Sequence, residues 1–279
     1  MFHTSRCGST LFAKALAQEP SNSVVVQPGP FQHGFWSAVT KGFTEPLDAN
    51  EDSLRACRKL MMLVTRRRHP QHRQAFVKFI SWNALYIDFI MEAFPNVPAI
   101  YLYRDPIEIV ASVRKSTTAV LEAKDRKQGE MLTGLSRPEI DRLDATAYLA
   151  RCYREAFAAI AAYNSSRLSL LDYEALTSAR FAEILDSSFG YRPSPQSLAK
   201  MRSQFDTYSK DDSSSKSFEG DRERKHAMIS DADRRLISDI TGRQLHDLRR
   251  DPRNIFPPPA LGEQQATASK EPALVTELT

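Results

Sequence analysis

The sequence is poor in the residues that build disulfide scaffolds and metal centres. Only three cysteines occur in 279 residues, and Cys7, Cys57 and Cys152 lie far apart. Their spacing gives no basis for a disulfide framework or a zinc cluster. No run of about 18 apolar residues occurs, and the first residues lack a basic segment followed by an apolar stretch. We therefore expect a soluble, cytoplasmic protein without a membrane span or a metal ion.

Excess charge of one sign is also lacking. The chain carries 38 basic and 34 acidic residues, for a formal net charge of +4. This balance argues against a protein that coats nucleic acid, but it allows a local cationic site for a small polyanion. With 42% hydrophobic and 26% charged residues, the composition is that of a globular protein.

Short apolar segments alternate with segments of helical periodicity. The pattern predicts strands at 24–26, 75–80, 99–103 and 168–173, and helices at 53–68, 82–94, 106–114, 144–163, 174–189 and 230–248. Parallel strands need crossover connections, which are usually helices. We therefore predict an α/β fold with a mostly parallel central sheet, flanked by helices in a three-layer sandwich. The ligand is expected at the carboxyl edge of the sheet.

The chain is predicted to form one domain with a tail. Residues 1–250 are expected to fold together, and residues 251–279, which contain three consecutive prolines, are expected to be disordered. Within the domain, residues 206–224 are rich in Ser, Asp and Lys and predict a mobile loop. Only two residues precede His3, which predicts a first strand that is short for a central one.

The first motif is His-Thr-Ser-Arg-Cys-Gly-Ser-Thr at residues 3–10, between a strand-like start and a helix. Gly8 permits close backbone approach, and the amides and dipole of the helix N-terminus attract an anion. Arg6 adds a cation, and Ser9 and Thr10 add hydroxyl donors. This set suits a diphosphate-like group, the alternative being an ordinary helix cap. Because Ser9 stands where a Walker A loop has Lys, ATP with magnesium is not expected.

The second motif is Tyr-Leu-Tyr-Arg-Asp-Pro at residues 101–106, followed by Ser112 eight residues after Arg104. A strand-end arginine points into the ligand crevice of a parallel sheet, and helical spacing lets Ser112 approach the same ligand. Together with Arg-x-Gly-Ser-Thr-Leu at residues 6–11, this motif resembles the P-loop sulfotransferases, particularly their bacterial branch. Those enzymes take a sulfuryl group from 3'-phosphoadenosine 5'-phosphosulfate (PAPS).

The resemblance implies how PAPS is held. The first loop would bind the 5'-phosphosulfate, and Arg104 and Ser112 the 3'-phosphate. A looser match at residues 170–176, Leu-Leu-Asp-Tyr-Glu-Ala-Leu, is interpreted as structural, and a basic loop adds two candidate 3'-phosphate ligands. The predicted binding residues are Ser5, Arg6, Cys7, Gly8, Ser9, Thr10, Arg104, Ser112, Arg224 and Lys225.

The implied reaction is transfer of a sulfuryl group from PAPS to a hydroxyl or amine of a small-molecule acceptor, without a metal. Arg6 and the loop amides would stabilise the leaving nucleotide. The bacterial branch often has Glu-Pro after the second strand, but Gln27 stands here and cannot accept a proton. His33 is the replacement candidate for the base, and Lys78 could stabilise developing charge. Other candidates are His3, Asp105 and Glu108.

Two alternative functions stay open at this stage. A P-loop small-molecule kinase would need the missing loop lysine. A catalytically degenerate protein that only binds PAPS or its product is compatible with Gln27. The aromatic residues near the second strand suggest an apolar wall of the acceptor site; they are Phe31, Phe35, Trp36 and Phe43. A homodimer is compatible with the sequence, and no nucleic-acid partner is expected.

Overall fold

The structure is a computed structural model that describes residues 1–206 and 227–257. Its strands are β1 (Phe2–His3), β2 (Asn22–Val26), β3 (Gln74–Lys78), β4 (Ala99–Tyr103) and β5 (Leu168–Asp172). β1 pairs with β4, β4 with β5 and β2 with β3, all in parallel. Backbone hydrogen bonds from Met1 N to Val77 O (2.7 Å) and from Phe79 N to Met1 O (3.1 Å) connect β3 to β1. The strand order is therefore 2-3-1-4-5, and the predicted parallel α/β sheet is confirmed.

Helices connect and follow these strands. They are α1 (Ser9–Leu16), α2 (Trp36–Thr40), α3 (Glu51–Val64), α4 (Ile87–Ala93), α5 (Pro106–Lys115), α6 (Ala119–Glu122), α7 (Gln128–Thr133), α8 (Arg137–Asp141), α9 (Ala145–Ala162), α10 (Phe181–Phe189), α11 (Pro195–Ser203) and α12 (Asp231–Arg250). A π-helical turn covers Pro30–Phe35, and 3₁₀ turns cover Ser81–Tyr86, Ala123–Asp125 and Tyr173–Ala175. Two predicted helices thus start later than expected, because a 3₁₀ turn occupies the first residues of each.

Side-chain caps explain where several helices begin. Asn50 and Ser53 form a reciprocal capping box at the start of α3. Asp144 accepts a hydrogen bond from Ala147 N (2.7 Å) at the start of α9, and Ser230 accepts one from Asp233 N (3.1 Å) at the start of α12. Each cap satisfies a backbone donor that has no partner within its helix.

Two hydrophobic clusters cover the two faces of the sheet. Tyr101 and Tyr103 of β4 point into the larger cluster, with residues of α3, α4, α5, α9 and α12. Ile100 and Leu102 of the same strand point into the smaller one, with residues of α1, α10 and α11. Because alternate residues of a strand face opposite sides, this division gives the predicted three layers.

The segment that follows α12 lies along β5. Leu170 N donates to Arg253 O (2.9 Å), Ile255 N donates to Leu170 O (3.0 Å), and Asn254 Nδ2 donates to the hydroxyl of Tyr103 (2.6 Å). The domain therefore extends past the predicted boundary at residue 250, because this segment packs on the sheet. The predicted disorder of residues 258–279 stays a prediction, since they lie outside the described ranges. Among the described helices, none has the length and hydrophobicity needed to cross a bilayer.

Candidate functional site

The loop between β1 and α1 depends on two left-handed residues. Arg6 has φ = 60° and Gly8 has φ = 77°. A Cβ atom on Gly8 would lie 2.8 Å from Cδ2 of Leu176 and 3.0 Å from Cε2 of Tyr173. Gly8 is therefore required twice, for its backbone conformation and for the close approach of the 173–176 segment.

The start of α1 is suited to an anion. Its N-cap residue, Gly8, supplies no side-chain cap, so the first amides of the helix are not capped by a side chain. Two buried polar atoms of the loop, Thr4 Oγ1 and Arg6 Nε, have no hydrogen-bond partner among the described residues. Buried polar atoms normally have partners. Donors of this kind, left over in one loop, fit a bound phosphate or sulfate.

The predicted loop residues differ in their surroundings. Ser9 is buried, Thr10 is exposed, and the hydroxyl of Ser5 lies 3.5 Å from that of Ser81. Cys7 is fully buried and its Sγ donates to Thr4 O (2.9 Å). Burial raises the pKa of this thiol, so it stays protonated and acts as a donor within the loop.

The side chain of Arg6 reaches toward the end of α5. Its Nη2 donates to the carbonyl oxygens of Ser116 and Thr117. Within the described ranges no carboxylate pairs with this guanidinium. The loop therefore carries a positive charge that carbonyl dipoles only partly offset.

Arg104, at the end of β4, forms a buried ion pair. It is 4% exposed, its partner Glu108 is 2% exposed, and Nε of Arg104 lies 2.7 Å from Oε2 of Glu108. The guanidinium carbon lies 4.0 Å from the ring centroid of Tyr173. Nη2 of Arg104 also donates to Oε2 of Glu108, and the third nitrogen, Nη1, donates to the backbone oxygen of Arg6 (3.3 Å). The two motifs are thus in direct contact.

The first turns of α5 contain the other predicted residues of the second motif. Ser112 is buried, four residues after Glu108 and so on the same helix face. Asp105 caps α5 through Ile107 N (2.9 Å) and lies 3.8 Å from Nη2 of Arg249. The carboxylate of Asp105 therefore has a structural role at the start of the helix and is not free for proton transfer.

Lys78 and His3 lie side by side at the ends of β3 and β1. Lys78 is 3% exposed, and burial lowers the pKa of its amine. Burial, and secondarily the charge of Lys78, lower the pKa of His3 to about 3. Carbonyl oxygens lie near both His3 ring nitrogens, Thr4 O 2.7 Å from Nδ1 and Phe79 O 2.8 Å from Nε2. A neutral imidazole has one ring hydrogen and donates to only one of these oxygens, and a pKa of about 3 makes His3 too weak a base near neutral pH.

The segment after β2 holds the remaining candidates. Gln27 is exposed, has φ = 46°, and donates its backbone N–H to Lys78 O (2.7 Å). His33 is exposed on the π-helical turn and forms no side-chain hydrogen bond with a described residue.

The aromatic residues of this segment do not form an acceptor wall. All four are at most 5% exposed, and their rings contact one another in the larger cluster; they are Phe31, Phe35, Trp36 and Phe43. The prediction was wrong because apolar side chains in a connecting segment can equally cover the core.

Two residues contribute to the site in a way that the motifs do not indicate, and two predicted residues are not described. The sequence offers Glu108 as a candidate base, but its (i, i+4) spacing from Arg104 is that of an ion pair at the start of a helix. Tyr173 was interpreted only as structural, and nothing in its local sequence indicates that it stacks on Arg104. Arg224 and Lys225 lie outside the described residues, so their predicted role stays a prediction.

The comparison with known families agrees with this geometry. A family model described as the sulfotransferase family matches residues 4–186, which is 183 of the 279 residues. The chain belongs to the sulfotransferase family. No protein of curated function matches it significantly. The matched region contains the first motif from Thr4 onward and the whole of the second, and the small-molecule kinase alternative is set aside for this sulfotransferase. Membership of the bacterial branch stays a prediction.

Proposed function

We propose that the sulfuryl donor of this sulfotransferase is PAPS and that the acceptor is a hydroxyl or amine of a small molecule. In this proposal the loop from Ser5 to Thr10 binds the 5'-phosphosulfate. Arg104 and Ser112 bind the 3'-phosphate, and Arg224 and Lys225 add charge to it.

The observation that carries the proposal is the contact between the two cationic turns. Nη1 of Arg104 lies 3.3 Å from the backbone oxygen of Arg6. The ring of Tyr173 packs on Arg104 and lies close to Gly8. One molecule with two phosphate-like groups can therefore engage both turns. The strand order supports this, because ligands of open parallel sheets bind where the strand order reverses, here beside β1.

The reaction needs charge stabilisation at the leaving group. A bond forms between the acceptor oxygen or nitrogen and the sulfur, while the bond from sulfur to the 5'-phosphate oxygen breaks. Negative charge grows on that phosphate, next to the uncapped α1 amides and Arg6. Lys78, which is buried at the end of β3 and interacts electrostatically with Cys7 of the loop, is proposed to stabilise charge on the transferred group.

The proton of the acceptor needs a base as the new bond forms. Of the candidates, His3 is buried with a pKa lowered to about 3, and Asp105 caps α5. Glu108 is paired with Arg104. His33, exposed on the turn that follows β2, stays the proposed base.

A second candidate function rests on Gln27. Its amide cannot accept a proton, and it stands where the bacterial branch often has Glu. A protein that binds PAPS or 3',5'-ADP without turnover would be compatible with this residue. Incubation with labelled PAPS and a panel of phenols, alcohols and amines separates the two, because only the enzyme yields labelled acceptor. His33→Gln should lower that turnover by roughly 100-fold or more.

Calorimetry tests the nucleotide placement. We expect the wild type to bind 3',5'-ADP more tightly than 5'-AMP or ATP. The double variant Arg104→Gln/Glu108→Gln removes both members of the buried pair, so neither charge is left alone. It should reduce the preference for 3',5'-ADP over 5'-AMP at least about tenfold, since a charge-assisted phosphate contact is lost.

The matched control is Arg137→Gln/Asp141→Asn, which removes a more exposed pair of the same spacing, 2.8 Å apart. It should leave the preference unchanged. A folded Arg104→Gln/Glu108→Gln protein that retains the full preference would refute the placement of the 3'-phosphate.

A further inference from the structure

A long stretch of the chain contains no acidic residue. From Ser53 to Ile87 there is no Asp or Glu, although 34 in 279 residues would give about four in a stretch of 35. The same stretch contains eight Lys or Arg and two His. The sulfotransferase site uses one of these basic residues, Lys78, so the others call for a separate explanation.

The structure concentrates these charges around an exposed apolar pair. The inner face of α3 buries Leu54, Cys57, Met61 and Val64. On its outer face Met62 is 68% exposed and Leu63 is 55% exposed. Basic residues surround the pair, all of them exposed; they are Lys59, Arg66, Arg67 and Arg68.

These charges are not neutralised by neighbouring carboxylates. The two acidic residues at the start of α3 are already paired, Asp52 with Arg55 and Glu51 with Arg58. In the described ranges, no carboxylate pairs with Lys59 or with the arginines at 66–68. Arg67 donates to the carbonyl oxygens of His69 and Pro70, and these neutral groups do not neutralise its positive charge.

We propose that this surface, formed by Lys59, Met62, Leu63, Arg66, Arg67 and Arg68, docks the protein on a bilayer rich in anionic headgroups. Clustered Lys and Arg on a helix are attracted to anionic lipid, and neighbouring aliphatic side chains enter the boundary between headgroups and acyl chains. A nucleic acid would use the same cations but would gain nothing from two exposed aliphatic residues. The exposed Met62 and Leu63 therefore favour a membrane.

Docking in this way keeps the sulfotransferase site accessible. The basic segment precedes Gln74, where β3 begins, whereas the site lies beyond Lys78, where β3 ends. The surface and the site are therefore at opposite edges of the sheet. Substrates would approach from the side that faces away from the bilayer.

Vesicle flotation with the full chain tests the proposal. We expect binding to phosphatidylcholine vesicles that contain phosphatidylglycerol, little binding to phosphatidylcholine alone, and loss of binding at high salt. Arg66→Gln/Arg67→Gln/Arg68→Gln should weaken binding by roughly a hundredfold. Met62→Ser/Leu63→Ser should weaken it as well, while the remaining binding keeps its salt dependence.

The matched control removes three exposed arginines elsewhere. Arg235→Gln/Arg243→Gln/Arg250→Gln changes the net charge equally, but on α12, which packs against α9 and α5. Binding of this variant should stay close to that of the wild type. Three results would overturn the proposal: no binding of the wild type to anionic vesicles, an equal loss in the control, or duplex DNA binding that needs Arg66–Arg68 but is unaffected by Met62→Ser/Leu63→Ser. Circular dichroism checks that each variant is folded.

Discussion

The two cationic turns of the site hold their arginines in different ways. Arg104 is almost fully buried, and its charge is balanced by Glu108 and supported by the ring of Tyr173. Arg6 is only half-buried and is held by backbone carbonyl oxygens, without a carboxylate among the described residues.

The difference suggests a division of roles. A buried, paired guanidinium is fixed in direction, because moving it would separate two desolvated charges. It can therefore place a ligand group precisely, although part of its charge is already balanced. A guanidinium held by carbonyl dipoles has no neighbouring carboxylate to weaken its attraction for an anionic ligand. It can also move without separating an ion pair. In the proposed reaction, Arg104 positions the nucleotide. The side chain of Arg6 adjusts its position as negative charge develops on the leaving phosphate.

The largest effect on stability is expected from breaking the buried ion pair between Arg104 and Glu108. Glu108→Ala leaves the guanidinium of Arg104 buried without its carboxylate, which should lower the free energy of unfolding by about 3–5 kcal/mol. Asp141→Ala breaks the more exposed (i, i+4) pair with Arg137 and should cost less than about 1 kcal/mol. Urea denaturation measures both. Similar losses in the two variants would show that burial does not distinguish these pairs.

A smaller effect is expected from distorting the loop that carries Arg6. Gly8→Ala adds a methyl group to a left-handed residue, at a cost of about 1–2 kcal/mol, and brings it against Leu176, at a further cost of about 1–3 kcal/mol. Gly134→Ala is the control, because Gly134 has a similar φ of 66° but no atom within 4 Å of the added Cβ. Thermal and urea unfolding should show a clearly larger loss for Gly8→Ala. Equal losses of stability in the two variants would mean that the 173–176 segment moves to make room for the methyl group.

The smallest effect is expected from exchanging each arginine for lysine. Arg104→Lys loses the fixed fork that grips Glu108, so binding of 3',5'-ADP should weaken at least about tenfold. Arg6→Lys keeps a charge at a position where lysine can still reach the same ligand, so its effect should be small. Calorimetry with 3',5'-ADP compares them directly. A larger loss for Arg6→Lys would reverse the division of roles.

The sequence was sufficient for the sheet and for the contact between the motifs. Apolar runs at residues 75–80 and 99–103 predicted β3 and β4 to within about two residues. β4 is buried along its whole length, as continuously apolar parallel strands are, whereas in β3 only Lys78 is buried. The motifs meet because the carboxyl ends of β1 and β4 lie at the same edge. Chain order and the parallel rule were enough to expect this.

The side-chain partners could not be predicted in the same way. That Arg104 pairs with Glu108 rather than Asp105 depends on the rotamer and on the ring of Tyr173, which lies in the turn after β5, about 70 residues away in sequence. The aromatic residues after β2 were misplaced for a related reason. Hydrophobicity alone does not tell a core contact from a binding wall, because both bury apolar surface.

The segment that follows α12 has a consequence for self-association. A sheet ends in a strand whose outer N–H and C=O groups can recruit another chain, and natural proteins often cover that edge. Here the backbone of Arg253 and Ile255 forms hydrogen bonds with both the C=O and the N–H group of Leu170 on β5. The side chain of Asn254 holds this segment in place by a hydrogen bond to Tyr103. The outer side of β5 is therefore protected against edge-to-edge aggregation at its midpoint.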